Sequence, residues 1–229
     1  MDDRELRAQD PFVQAADSPV ISVRTYNLIM AGLILLGFVV MGVGSLWTKT
    51  LAFQLFAAEH PFVLLFAPLI GSIAGIVMMS SAASRQSTAL SLAGFAVFVA
   101  SFGIMAGAAL SAYDLPTINA AFFATAAITG VAGIVGVAFP SFSRRLGGIL
   151  TGVLLAVIVV ELVLLVMHVD QTVTDYLVVA LFAGFIAYDF NRAARLEPTV
   201  PNAVISASNL FLDIINILLR LLRIFSRNN

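Results

Sequence analysis

Long apolar segments alternate along the chain with short polar loops. A helix needs about 20 apolar residues to cross the hydrocarbon of a bilayer, and seven segments of that kind follow one another. No loop between them is long enough to fold as a domain of its own. The pattern predicts seven transmembrane helices, over Tyr26–Trp47, Phe62–Ala83, Thr88–Ser111, Pro116–Phe139, Leu146–Met167, Thr174–Phe190 and Ala203–Phe225.

The segment before the first of these helices is polar. Residues 1–25 are mildly acidic, contain Pro11 and Pro19, and lack the apolar core of a signal peptide. A stretch of this composition buries too little apolar surface to fold by itself. We therefore predict an uncleaved, flexible tail over residues 1–25 and one seven-helix transmembrane domain over residues 26–229.

Composition supports the same class of protein. Hydrophobic residues make up 60% of the chain and charged residues only 11%, which is typical of an all-α membrane protein whose main partner is the lipid bilayer. The chain has no cysteine, which excludes disulfides and thiolate metal sites. Its twelve basic residues are scattered over the tail, the short loops and the last helix, and this argues against nucleic acid as a partner.

The seventh predicted helix carries a polar seam on an otherwise apolar surface. Residues three and four apart share one face of a helix, and the polar residues follow that spacing. A charged residue at a helix centre costs roughly 3 kcal/mol to insert into lipid, so the seam should face protein. We predict that this helix is central and surrounded by the other six. The seam consists of Asn202, Ser206, Asn209, Asp213, Asn216, Arg220, Arg223 and Arg227.

Loop charges indicate the orientation, because basic residues favour the cytoplasmic side. The tail and every second loop carry eight arginines in all, whereas the intervening loops carry only Lys49. This predicts a cytoplasmic N-terminus. The arginines at the end of the last helix do not fit this orientation, because a full seventh span would place them outside. Either the last helix is re-entrant or the earlier charges prevail, and the sequence leaves both open.

Besides Asp175, which begins the sixth predicted helix, three carboxylates lie within the predicted spans. Asp189 is near the end of the sixth helix, Asp213 is in the middle of the seventh, and Glu161 is in the fifth. Consecutive helices are usually antiparallel neighbours, but Asp213 lies roughly 15 Å along its helix, so spacing alone does not establish contact with Asp189. Three simpler interpretations remain open. Asp189 is exposed to water, Asp213 is bonded to a neighbouring amide, or Glu161 is protonated and bonded to another helix. Asp175 is expected at the outer interface.

The last 50 residues resemble the Bax-inhibitor family. The similarity rests on Leu181-Phe-Ala-Gly-Phe-Ile-Ala-Tyr-Asp189, on Ser208-Asn-Leu-Phe-Leu-Asp-Ile-Ile-Asn216, and on the trailing Leu218-Leu-Arg-Leu-Leu-Arg223. The spacing of the two aspartates and the seven-helix plan fit as well. Over the first 170 residues the likeness is diffuse. A bacterial member of this family implies location in the inner (plasma) membrane, with several spans.

The resemblance implies a function that spacing does not give. Asp189 and Asp213 match a hydrogen-bonded pair that senses pH and gates a calcium leak, and Arg85 matches an arginine that closes on the pair. Tyr188, Asn209 and Asn216 belong to the matched motifs. Glu161 offers a substitute carboxylate, since the second helix lacks the acidic residue that some bacterial relatives carry there. The family implies no enzyme activity and no cofactor, with calcium as the transported ion.

Two other functions compete with the leak. One is a regulatory partner of a membrane-bound AAA protease, or a modulator of a stress response, that carries no ion; some bacterial relatives are described in this way. The other is an intramembrane aspartyl protease, whose first aspartate also follows a tyrosine, as in Tyr188-Asp189. The Gly-x-Gly pattern and the Pro-Ala-Leu element of those proteases are absent here.

Overall fold

The computed structural model describes residues 18–139, 144–169 and 171–227, and within them every regular element is a helix. Seven of these helices are long and apolar enough to cross a membrane, as predicted, and the chain is an integral membrane protein with several spans. Residues 1–17 of the predicted tail lie outside the described residues. The helices are α1 Val23–Trp47, α2 Leu51–Glu59, α3 Pro61–Arg85, α4 Thr88–Leu110, α5 Leu115–Ala138, α6 Arg144–Val166, α7 Thr172–Ala193 and α8 Val200–Arg227.

Short polar side chains set where several of these helices begin. Ser22 Oγ accepts a hydrogen bond from the backbone nitrogen of Thr25 at 3.1 Å, and Asp114 Oδ1 accepts one from Thr117 at 3.3 Å. Such caps satisfy backbone donors that have no partner inside the first turn. Thr50 and Ser87 cap α2 and α4 in the same way.

The described chain divides into two compact units. The first unit takes residues up to 112 together with 195–209, and the second takes 113–194 together with the rest of the chain from 210. The first unit therefore contains α1 to α4 and the beginning of α8. The second contains α5, α6, α7 and the remainder of α8.

Helices of the first unit approach closely where glycines meet. A Cβ added to Gly75 of α3 would lie 2.6 Å from the backbone nitrogen of Phe98 and 2.7 Å from the carbonyl oxygen of Gly94, both on α4. A Cβ added to Gly107 of α4 would similarly lie 2.7 Å from the nitrogen of Ser45 on α1. Gly71 and Gly75, and likewise Gly103 and Gly107, are small residues at four-residue spacing, which allow helices to pack closely in lipid.

Hydrogen bonds fix the start of α8 within the first unit. The buried Tyr26 hydroxyl on α1 lies 3.0 Å from Ser206 Oγ, and the Asn202 side-chain nitrogen donates to the carbonyl oxygen of Glu197 at 2.9 Å. The backbone nitrogen of Ile21 donates to Pro198 at 2.8 Å. The Asn202 amide nitrogen and the Ser206 hydroxyl at the start of the polar seam are thus bonded to protein groups, whereas Asn202 Oδ1 is buried and accepts no hydrogen bond from the described residues.

The last helix is by far the most buried of the seven spans. In its most apolar 18-residue window, 72% of the residues are buried, against 39% or less in the other spans. The expectation that the seam faces protein agrees with the burial of Asn202, Ser206 and Asp213. The arrangement of all six other spans around this helix stays a prediction.

Candidate functional site

Asp189 of α7 and Asp213 of α8 come together in the second unit. Their carboxyl groups lie within hydrogen-bonding contact of each other. The Asp213 side chain is buried, and its Oδ2 accepts no hydrogen bond from a donor among the described residues. Because a hydrogen bond between two carboxyls requires a proton, this contact can hold one proton shared by the pair.

The end of α7 that carries Asp189 is held against α5. Gly136 of α5 packs directly on the carbonyl of Ala187, where no side chain would fit. The side-chain nitrogen of Asn191 donates to the carbonyl oxygens of Gly136 at 2.8 Å and Phe139 at 3.2 Å. These contacts bracket Asp189 on both sides, so its position on α7 is well determined.

A second cluster of charged residues joins the opposite end of α7 to α8. Asp175 lies in the first turn of α7, and its carboxylate is fully buried. Its Oδ1 accepts a hydrogen bond from Arg220 at 2.8 Å and lies 3.1 Å from Arg223 Nη1, while its Oδ2 accepts one from Arg227 at 3.0 Å. One buried carboxylate therefore contacts three guanidinium groups.

Glu161 of α6 completes this cluster. Arg220 binds it with both terminal nitrogens, and the bond from Nη2 to Oε2 measures 2.8 Å. Gln171 accepts a hydrogen bond from Arg223 at 3.1 Å, and Thr172 accepts one from Arg227 at 2.8 Å. We call Glu161, Asp175, Arg220, Arg223 and Arg227 the ion-pair cluster.

The sequence interpretation missed how this cluster forms. Asp175 was expected at an interface, and Glu161 was considered as a carboxylate of the ion pathway or as a protonated group. The structure instead gives both carboxylates arginine partners on α8. The signal was available in the three arginines at helical spacing, but their partners are 45 to 59 residues away along the chain.

The cluster also bears on how the last helix ends. Arg227, at the end of α8, contacts Thr172 and Asp175 at the beginning of α7. The two helices are therefore antiparallel to their ends, and α8 is a single helix from Val200 to Arg227. A re-entrant last helix would end on the side of the membrane where α7 ends. Arg227 instead lies beside the beginning of α7.

The other predicted site residues take varied positions. Tyr188 packs its ring on Gly147 of α6, and Asn216 donates to the carbonyl oxygen of Leu212 at 2.8 Å within α8. Asn209 is half-buried one turn before Asp213. Arg85 is exposed and ends α3 in the first unit, so its pairing with the aspartates stays a prediction.

The part of α8 in the second unit is less buried along its polar seam than on its apolar side. Asn216, Arg220 and Arg223 are half-buried, as are the intervening Leu212 and Leu219. The opposite side is sealed, with Phe211, Ile215, Leu218 and Leu222 at most 1% exposed. The seam between the aspartate pair and the ion-pair cluster is thus the more open side of the helix.

The described residues offer no ready-made metal centre, since no group of three or more His, Asp or Glu side chains there is placed to hold an ion. A cavity of about 550 Å³ between α5, α6 and α7 has almost entirely apolar walls, including Val131, Leu150 and Ala187. Without carboxylate, amide or hydroxyl groups it is unsuited to a cation. The aspartate pair remains the candidate site.

Comparison with known proteins agrees with these features. A family described as "Inhibitor of apoptosis-promoting Bax1" matches residues 20–229, which include all the spans, both aspartates and the ion-pair cluster. The chain belongs to the Bax-inhibitor family. The Bax-inhibitor match extends well beyond the last 50 residues, on which the sequence resemblance mainly rested.

Individual relatives are also membrane proteins. The chain is 29% identical over 181 residues to an uncharacterized membrane protein of Streptococcus pyogenes serotype M3, covering 75% of this chain and 77% of that protein. It is 22% identical over 234 residues to the inner membrane protein YbhL of Escherichia coli K12, covering 97% of this chain and 98% of that protein. These Bax-inhibitor relatives support the class of protein without naming an activity.

Proposed function

We propose that this protein is a pH-sensitive calcium leak in the bacterial inner membrane, gated by Asp189 and Asp213. The observation that carries the proposal is the hydrogen-bonding contact between these two carboxyls in a membrane-spanning helix pair. Neither an isolated packing role nor a helix-end role requires two carboxylates to meet. The name of the YbhL relative is the basis for proposing the inner membrane.

The proposed gate depends on one proton. With that proton in place the pair is joined by a hydrogen bond and carries a single negative charge. When the proton leaves, two like charges remain in contact inside a low-dielectric bundle, which is unfavourable. Separation of α7 from α8, or entry of a cation, relieves that repulsion. Calcium prefers carboxylate and amide oxygens, which Asp213 and the neighbouring Asn209 and Asn216 present.

The half-buried seam of α8 supports a path away from the pair. Polar side chains inside membrane proteins usually face the bundle interior or a water-filled space. In the second unit, the side of α8 that carries Asn216, Arg220 and Arg223 is the more open one. We propose that the ion moves past Asn216 along the uncharged part of this side when the pair separates, because the guanidinium groups of the ion-pair cluster repel a cation.

Calcium flux in reconstituted vesicles tests the proposal directly. The protein is placed in liposomes with a calcium dye, and flux is measured across a pH series for the native chain, D189N, D213N and the double variant. Asparagine keeps the shape and hydrogen-bonding capacity but cannot share a proton. Each single variant should lose most of the pH dependence. The double variant should add little, because residues that act as one unit are not additive.

D114N is the matched control. Asp114 is exposed and caps α5, and asparagine is an equally good cap, so its pH profile should equal that of the native chain. Additive effects in the double variant, or a normal pH response in either single variant, would refute the shared-proton gate. Absence of any calcium flux from a folded native preparation would favour a regulatory role without transport.

A further inference from the structure

Helices α7 and α8 are joined at two points that have equal spacing on both. Asp189 meets Asp213, and Asp175 meets Arg227. Fourteen residues separate Asp175 from Asp189 on α7, and fourteen separate Asp213 from Arg227 on α8. At 1.5 Å per residue this is about 21 Å on each helix, so the two contacts fit one antiparallel register.

We propose that the ion-pair cluster is the positioning device that keeps Asp213 level with Asp189. Arg220 is the central positioning residue, because it binds carboxylates from two other helices, Glu161 of α6 and Asp175 of α7. This inference rests on the proposed gate for its functional meaning. Its structural content, the register of α8 against α7, is independent of calcium.

The apolar contacts of α8 specify the register only weakly. After Phe211, the buried side of the helix in the second unit is a run of similar aliphatic residues, Ile214, Ile215, Leu218, Leu221 and Leu222 among them. A shift by one turn exchanges leucine and isoleucine at several of these positions, for example Ile214 with Leu218 and Leu218 with Leu222. Cores tolerate such exchanges when shape and volume are kept.

The ion-pair cluster responds very differently to the same shift. The guanidinium group presents its donors in a rigid planar fork, so its two bonds to Glu161 require one orientation. A one-turn shift of about 5.4 Å breaks these bonds. A shift in one direction puts Asn216 in the place of Arg220 and leaves Glu161 without its guanidinium partner. A shift in the other direction puts Arg223 there and removes one of the three guanidinium groups from Asp175. Because unpaired buried charges are strongly unfavourable, the cluster favours the register in which its set of ion pairs is complete.

Cross-linking measures this register without any ion flux. The chain has no native cysteine, so D189C is combined in turn with N209C, D213C and I217C, which sample the register and its neighbours one turn away. A short thiol-reactive cross-linker is applied to the protein in membranes. In the native background D189C/D213C should give the main product.

The same pairs are then tested with Arg220 altered. R220M keeps an unbranched side chain and removes its charge, whereas R220K keeps a charge but loses the fork. The yield of D189C/D213C relative to the one-turn neighbours should fall by at least about tenfold in R220M, as expected for a broken buried pair, and less in R220K. R24M, an exposed arginine on α1, is the matched control and should change nothing.

The outcomes separate this inference from the proposed gate. An unchanged ratio of products in R220M refutes the positioning role, whatever the flux. If R220M gives no cross-linked product of any kind, the same product ratio is measured in R227Q. This substitution removes a guanidinium group from a side chain that is 34% exposed, and it leaves Arg220 with its partners. A ratio that falls in R227Q supports the inference, and an equal ratio overturns it.

The flux assay connects the register to the gate. With both aspartates intact, R220M should flatten the pH dependence of calcium flux, and R220K should restore part of it. A lost register together with an unchanged pH profile would contradict the proposed gate while leaving the positioning role in place.

Discussion

Two buried aspartates on neighbouring helices have opposite surroundings. Asp175 is enclosed by three guanidinium groups, whereas Asp213 meets the carboxyl of Asp189. The first arrangement joins opposite charges and stabilises a fixed contact. The second joins like groups and is favourable only while a proton lies between them. The same residue type therefore serves as an anchor at one end of α7 and, in our proposal, as a sensor at the other.

Arg85 is predicted from the family resemblance to close on the aspartate pair. If Arg85 closes on the aspartate pair, as the family resemblance implies, we expect R85A to raise the basal calcium leak by roughly fivefold, because an exposed ion pair is worth up to about 1 kcal/mol. The measurement is flux at a fixed pH in liposomes. R24A removes another exposed arginine of the first unit and is the control. Equal leaks in R85A and the native chain would make Arg85 a topological anchor only.

Only part of the candidate site could be predicted from the residues. The sequence identifies Asp189, Asp213 and Glu161 as candidate functional residues, because carboxylates are rare in apolar helices and costly to place in a membrane. Their partners depend on which helices are adjacent and in what register. Spacing left the Asp189–Asp213 contact open, and only the family resemblance implied it. No pattern along the chain connected Arg220 to Glu161, 59 residues earlier.

At the scale of helices, hydropathy is the reason that the predictions succeed. Each span must satisfy its backbone polar groups internally and bury about 20 apolar residues, so its position is visible in the sequence. All seven predicted spans are present, with ends within about three residues. Helix α2 was missed because its nine residues are too short to give a membrane-spanning signal.

Close helix contact in the first unit is also testable. G75A places a methyl group where the α4 backbone and Phe98 leave no room, and overpacking of this kind costs about 1–3 kcal/mol. Thermal unfolding in detergent should shift downward by several degrees, at roughly 2–4 °C per kcal/mol. G32A is the control, because an added Cβ there meets nothing within 4 Å. Equal unfolding temperatures for the two variants would contradict the close contact.

For the whole chain, the orientation in the membrane is the main prediction from loop charges. In intact cells, an impermeant thiol reagent should label D114C and S226C but not S84C, and all three after permeabilisation. These positions are exposed, and they lie in the loop before α5, at the end of α8 and at the end of α3. Labelling of S84C from outside would show that the orientation is inverted. If S226C were protected from the reagent together with S84C, the result would indicate that the last helix is re-entrant.

The ion-pair cluster also forms late during synthesis of the chain. Glu161 and Asp175 leave the ribosome well before Arg220, which follows Glu161 by 59 residues. At about 5–20 residues per second, that interval is roughly 3 to 12 seconds. During it, the nascent chain holds two acidic side chains in the bilayer whose cations have not yet been synthesised. A product that stops before α8 keeps both carboxylates without these arginine partners in the membrane.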